Sequence, residues 1–248
     1  MIDNLLHQSP GILSFGIFFG LALLILLVIL GFVTYVILAE RKVLGVMQSR
    51  WGPNQVGGRW GLMQTIADII KLLVKEDTIP KAADRKLFIL APIIAFAPSF
   101  MVIAVIPFTD KLKFADLNVG VLYYIAISGI TTVGLLLGGW ASNNKYGLLG
   151  GARAAAQMIS YEIPLVMSLV GIVLLTGSMN LSDIVLKQEN LWNIIVQPIA
   201  FIVFFISAVA ELNRIPFDLP ESENELIAGF QIEYGGFRWA MFYLAEYV

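Results

Sequence analysis

NLWNIIVQPIAFIVFFISAVAELNRIPFDLPESENELIAGFQIEYGG, residues 190–236, sets a charge-free run directly against a loop crowded with acids. The run, 190–210, has the roughly 20 residues that a helix needs to cross a hydrocarbon core. The loop behind it carries Glu211, Asp218, Glu221, Glu223, Glu225 and Glu233, with Arg214 as its one internal cation. Carboxylates beside a span are costly to keep out of water, so such a cluster points to use.

Working outward, four more charge-free runs appear at 4–39, 87–109, 117–144 and 163–182. A sixth apolar run starts at Trp239 and is still running at Val248, so the pattern predicts further spans beyond this sequence. The 248 residues are 58% hydrophobic and 14% charged, against about 25% charged in soluble domains. The expected fold is an all-α polytopic membrane protein, a single membrane domain over 1–248. At least six transmembrane helices are expected, at about 12–39, 86–108, 119–140, 154–176, 191–210 and from 239 onward. The segment 60–75 is expected to be an interfacial amphipathic helix. Its residues Leu62, Met63, Ile66, Ile69, Ile70 and Leu73 fall on one face, and Gln64, Asp68, Lys71 and Lys75 on a narrow stripe opposite. At about 24 Å it is too short and too charged to span. The narrowness of the stripe favours packing on protein, with Asp68 toward a cavity.

Basic residues orient the chain. Thirteen Lys and Arg lie in the connections 40–86, 141–160 and 211–238, against Lys111, Lys113 and Lys187 on the other side. The positive-inside rule then puts the N-terminus outside and those three connections in the cytoplasm. No cleavable signal is visible, since residues 1–10 lack Lys and Arg. The absence of cysteine excludes disulfides and thiolate-held clusters, and His7, the one histidine, leaves no basis for a haem. No glycine-rich dinucleotide fingerprint follows a strand.

Along the chain, Gly52-Pro53-Asn54 and Gly57-Gly58 punctuate a turn-rich loop after the first span. Pro92, Pro98 and Pro107 kink the second span, which fits packing or a cavity wall equally well. Gly129, Gly134, Gly138 and Gly139 in the third span suggest close helix contact. Glu162 is expected about two turns into the fourth span, where a short acid snorkels poorly and so faces a wet cavity. In the acidic loop, Ser222 and Glu225 fit a capping box on a short helix. Capping accounts for one or two acids and leaves Glu211, Glu221 and Glu233 without a role. Crowded carboxylates of this kind cannot all ionise, which makes them a proton reservoir.

Three strings carry a family resemblance: ERKVLGVMQSRWGPNQVG from Glu40, KYGLLGGARAAAQMISYEIP from Lys145, and ELNRIPFDLPESENELIAGFQIEY from Glu211. Together they resemble the H subunit (the mitochondrial subunit-1 type) of respiratory complex I, NADH:quinone oxidoreductase. The resemblance implies a subunit that forms the quinone-access cavity and links quinone reduction to proton translocation. It implies that Glu40, Arg41, Gln48 and Arg50 line the quinone entrance, with Arg214 and Asp218 in the loop beside it. It implies that Asp68, Glu76, Glu162, Glu211, Glu221, Glu223, Glu225 and Glu246 form a proton-coupling carboxylate path. Ubiquinone or menaquinone would be the substrate, with no flavin, haem, iron–sulfur cluster or metal in this chain. Partners would be the peripheral-arm subunits at the quinone site, neighbouring antiporter-like membrane subunits, and lipid, with no nucleic acid. The bacterial plasma membrane is the expected location, the mitochondrial inner membrane the alternative.

Rival readings are the related membrane subunit of a hydrogenase or formate-linked complex and a stand-alone cation-coupled transporter. A transporter often shows internal repeats, and none is convincing here. A calcium site would need only oxygen ligands, yet EF-hand spacing is missing.

Overall fold

The computed structural model describes residues 12–58, 60–109, 113–189 and 191–247. His7 and Lys111, weighed above, and Arg59, one of the basic residues of 40–86, lie outside them. The described chain forms two compact units, one up to Val74 together with Tyr247, the other from Lys75 to Glu246. No strand occurs among the described residues. Among the described residues four helices are long and apolar enough to cross a membrane.

The first unit consists of α1 (Ile12–Met47) and α2 (Gln64–Val74). Where the apolar pattern ends at 39, α1 does not: it runs on through Glu40, Arg41 and Lys42 to Met47. Charge alone does not stop a helix, and 39–47 contains only one residue of poor propensity, Gly45. The stop comes at Ser49, in a left-handed conformation (φ 54°), ahead of Gly52-Pro53. There the chain doubles back so tightly that a Cβ on Gly45 would lie 3.0 Å from the Gly52 amide. α2 is shorter than the expected 60–75, because Gly61 sits at φ +64° and the chain is still turning before Gln64.

The second unit contains α3 (Arg85–Ile103), α4 (Gly120–Ala141) and α5 (Lys145–Thr176). After them come α6 (Leu181–Leu186), α7 (Asn193–Val196) and α8 (Pro198–Glu211). The acidic loop holds α9 (Glu223–Leu226) and a 3-10 turn at Gly229–Gln231, and α10 is Gly236–Tyr247. α3 packs on α4, α4 on α5 and α5 on α8. Small residues let the backbones close up. A Cβ on Gly134 would meet the Ala95 amide at 2.6 Å, and one on Gly139 would meet the Gly147 carbonyl at 2.4 Å. Pro92 and Pro98 are buried within α3, on the packing side of the choice left open by the sequence.

Three more expected spans differ in the structure, the second ending at Ile103 rather than 108 and leaving Pro107 outside α3. The fourth begins at Lys145 rather than near 154, with Asn144 accepting the Tyr146 amide as its cap. Gly147, Gly150 and Gly151 look like turn residues but are buried contact points inside the helix. Glu162 therefore stands 17 residues, about 26 Å, from the start of α5, not two turns. The expected fifth span, 191–210, is interrupted at Gln197 (φ −130°, ψ 66°). Pro198 follows, and a proline pushes the residue before it out of helical geometry. α8 proper has 14 residues.

Candidate functional site

The acidic loop does not hang in water. Pro220, Leu226 and Phe230 are among the most deeply buried side chains, and Phe230 and Tyr234 join the core formed by Phe88, Ala95, Leu135, Met158 and Phe242. Tyr234 stacks on Phe88 with ring centroids 4.0 Å apart. Its hydroxyl donates to the Gly138 carbonyl, and burial holds the phenol well above its usual pKa, with the Arg238 charge opposing. Gly150 of α5 admits the 3-10 turn: a Cβ there would lie 2.5 Å from the Gly229 Cα. Gly229 itself is at φ +55°, its missing Cβ 2.1 Å from the Pro220 carbonyl oxygen.

The Gln157 side chain of α5 ties down the head of the loop. The Gln157 amide nitrogen is 2.9 Å from the Ala210 carbonyl, 3.0 Å from Asn213 Oδ1 and 2.8 Å from the Phe217 carbonyl. Asn213 is buried and left-handed (φ 50°), and Phe217 meets Tyr161 edge-on at 5.2 Å.

On this frame most of the carboxylates have assigned neighbours. Glu225 pairs with Arg153 at 2.7 Å, and Glu246 with Arg214 at 2.7 Å. Arg214 is thus not the only cation serving the cluster. Glu233 accepts from Asn144 at 2.7 Å and Glu221 from Gln231 at 2.8 Å. Burial pushes the Glu221 carboxyl above its ordinary range. The Gln231 bond and the Arg214 charge pull it back, and the nearby Asp218 pushes it further up. Glu223 opens α9, though Ser222 makes no side-chain capping bond, and Glu225 turns to Arg153 instead of closing a box. Asp218 is exposed, as is Glu76.

Glu162 and Glu211 come together from different helices, within range of each other's charge, and Tyr124 of α4 also feels Glu211. Glu162 Oε1 lies 3.2 Å from where a Gly129 Cβ would be, so its carboxylate rests against the bare backbone of α4. Among the described residues no group of three or more acids or histidines stands as a metal would need.

In the first unit, Arg41 meets Asp68 at 2.5 Å, and Gln64 also donates to that carboxylate at 3.3 Å. Asp68 thus joins α2 to the end of α1. Arg50 donates to Gln48 at 2.6 Å. Glu40 accepts from the Tyr247 hydroxyl at 2.5 Å. The entrance residues Glu40, Arg41, Gln48 and Arg50 and the loop residues Arg214 and Asp218 belong to different units.

Sequence reasoning missed Gln157, Arg153 and Gly150. All three lie in the string from Lys145, but a glutamine and a glycine in an apolar helix give no signal until the loop they hold is in place. Arg238, one of the basic residues of 211–238, pairs with Asp77 at 3.0 Å and lies over the Phe88 ring at 5.5 Å.

Comparison with known proteins matches the NADH dehydrogenase family over residues 20–248. The H subunit of NADH-quinone oxidoreductase from Geobacillus thermodenitrificans (strain NG80-2) is 70% identical over 247 residues, covering all of this chain and 74% of the relative. The H subunits of the same enzyme from Bacillus thuringiensis (strain Al Hakam) and Bacillus anthracis (strain A0248) are each 71% identical over 248 residues, with the same coverage. With identity this high along its whole length, the chain belongs to the NADH dehydrogenase family, among the H subunits of NADH-quinone oxidoreductase.

Proposed function

We propose that this chain is the membrane subunit through which quinone reaches the redox site of a bacterial NADH:quinone oxidoreductase, and that its loop carboxylates carry the resulting charge change inward. The observation that carries the reading is the acidic loop's burial in the helix core. Glu221 lies there in a medium that favours the neutral acid, while Glu211 and Glu162 share a site between three helices. Quinone reduction takes up two electrons and two protons. A carboxylate near that event, its proton held more firmly by burial, changes occupancy when the local charge changes. Glu40, Arg41, Gln48 and Arg50 would guide the quinone at its point of entry, and the peripheral-arm subunits would supply the electrons. Antiporter-like neighbours would receive the charge signal from Glu162 and Glu246. In this reading the protein sits in the plasma membrane with the loops 40–86, 141–160 and 211–238 in the cytoplasm.

The test is the double variant Glu211→Gln/Glu223→Gln in the assembled complex, with NADH oxidation by quinone and proton release measured on the same vesicles. Protons moved per electron should fall. Unchanged pumping together with unchanged quinone reductase activity would overturn the coupling role.

A further inference from the structure

A cavity of about 490 Å³ opens at the α4–α5 turn, lined by Trp140, Asn143, Asn144, Lys145 and Leu148. Its charge is lopsided. Lys145 is exposed and makes no ion pair among the described residues, and the adjoining strap 81–86 adds three more exposed cations in the same condition, Lys81, Arg85 and Lys86. Two bonds hold that strap against the turn: Asn143 donates to the Ala82 carbonyl at 3.0 Å, and the Asp84 amide donates to the Ala141 carbonyl at 3.1 Å. The acids nearby are already engaged. Asp84 accepts from the Lys86 and Leu87 amides, and Glu233 accepts from Asn144. The N-terminus of α5 is capped by Asn144 itself, which accepts from the Tyr146 amide, and is not what makes the site.

The other half of the cavity is apolar. Trp140 is 65% exposed on the last turn of a membrane helix, and Leu148 is exposed one turn into the next. An exposed indole at the end of a span belongs at the headgroup level of a bilayer. A lining lysine, further cations on the adjoining strap and an exposed tryptophan and leucine match one class of ligand: a phosphate diester with acyl chains running down beside it. Basic pockets between helix ends recognise such headgroups.

We propose that the α4–α5 turn, with the 81–86 strap, binds the phosphate headgroup of an anionic phospholipid, Lys145 contacting the phosphate and Trp140 the glycerol region. This site is separate from the carboxylates proposed to carry charge and from the quinone reading, and it stands or falls independently of either.

The experiment uses the whole complex, reconstituted in phosphatidylcholine vesicles doped with photoactivatable phosphatidylglycerol. The labelled peptide is mapped by mass spectrometry, and photoactivatable phosphatidylcholine serves as the neutral control. Labelling of the peptide 140–148 by the anionic probe should exceed that by the neutral one. It should fall roughly five-fold for each lysine removed in Lys145→Gln and Lys81→Gln/Lys145→Gln, and survive in Lys145→Arg. Equal labelling by the two probes in the wild type overturns the proposal without need of any variant. So does labelling unchanged by Lys145→Gln, and so does a cross-link showing a protein subunit seated in the cavity.

Discussion

Gln157 is the residue on which the loop's position depends, because one amide serves three acceptors and two of them are backbone carbonyls. Gln157→Leu keeps the size and removes the donor, leaving buried acceptors without a partner at about 1–3 kcal/mol in total. Hydrogen exchange of residues 211–220 in the assembled complex should quicken accordingly, while exchange in α3 and α4 stays as it was. Glu221 gives a second prediction, with a definite sign. Its carboxyl is raised from the ordinary 4.5 mainly by burial. Below that ordinary value the group is protonated both in the packed loop and in the released one. As pH rises, the released loop ionises first and the packed loop is disfavoured, so stability is lost through the raised pKa. Protection of the loop should therefore decline from mildly acid pH upward, and Glu221→Gln should flatten that decline. A variant with the wild-type pH slope would show that another group titrates. At this scale the acids were legible as charges in an apolar chain, but their partners were not. Arg153 lies 72 positions from Glu225 and Asn144 lies 89 from Glu233, distances that no local pattern reports.

Helices α4 and α5 show what spacing alone conveys about an element. The apolar runs were long enough to announce the first four spans, and glycine content pointed to close packing. The start of α5 was hidden because Gly147, Gly150 and Gly151 imitate a turn; only the facing backbones of α4 and the 3-10 turn explain them. Pro198 was visible from the outset, and its effect on Gln197 is a local rule, so the interruption before α8 was readable in the sequence. Gly150→Ala tests the contact that carries the loop. Its new Cβ would come within 2.5 Å of the Gly229 backbone, which cannot swing aside as a side-chain tip would. Overpacking of this kind costs about 1–3 kcal/mol. The variant should lower the thermal stability of the complex and accelerate proteolysis within 217–232. Arg153→Ala, by contrast, removes a pair whose side chains are 41% and 54% exposed, and screening limits its contribution to about 0–1 kcal/mol. Loop protection in Arg153→Ala should stay near wild type, whereas Gly150→Ala should lose it.

For the whole molecule, α7 with α8 decides how the chain threads the bilayer. Residues 193–211 amount to 19 positions, about 28 Å of helix, nearly the full 30 Å of hydrocarbon if the two pieces run on in one direction through Gln197. If they do, residue 189 and residue 219 lie on opposite sides; if the chain folds back at Gln197, they share a side. The topology proposed from the basic-residue bias takes the first arrangement, with the acidic loop on the side of the connections 40–86 and 141–160. The chain contains no cysteine, so single thiols can be introduced without background. Glu189, Gln55 and Leu219 are all exposed. In intact cells a membrane-impermeant maleimide should label Glu189→Cys and spare Gln55→Cys and Leu219→Cys, both of which should react once the membrane is opened. That opened-membrane control separates a cytoplasmic thiol from one covered by a neighbouring subunit. Labelling of Leu219→Cys from outside would reverse the acidic loop. With the loop on the outer side, its carboxylates could not serve electrons arriving from a cytoplasmic arm, and the coupling role would fall with the topology.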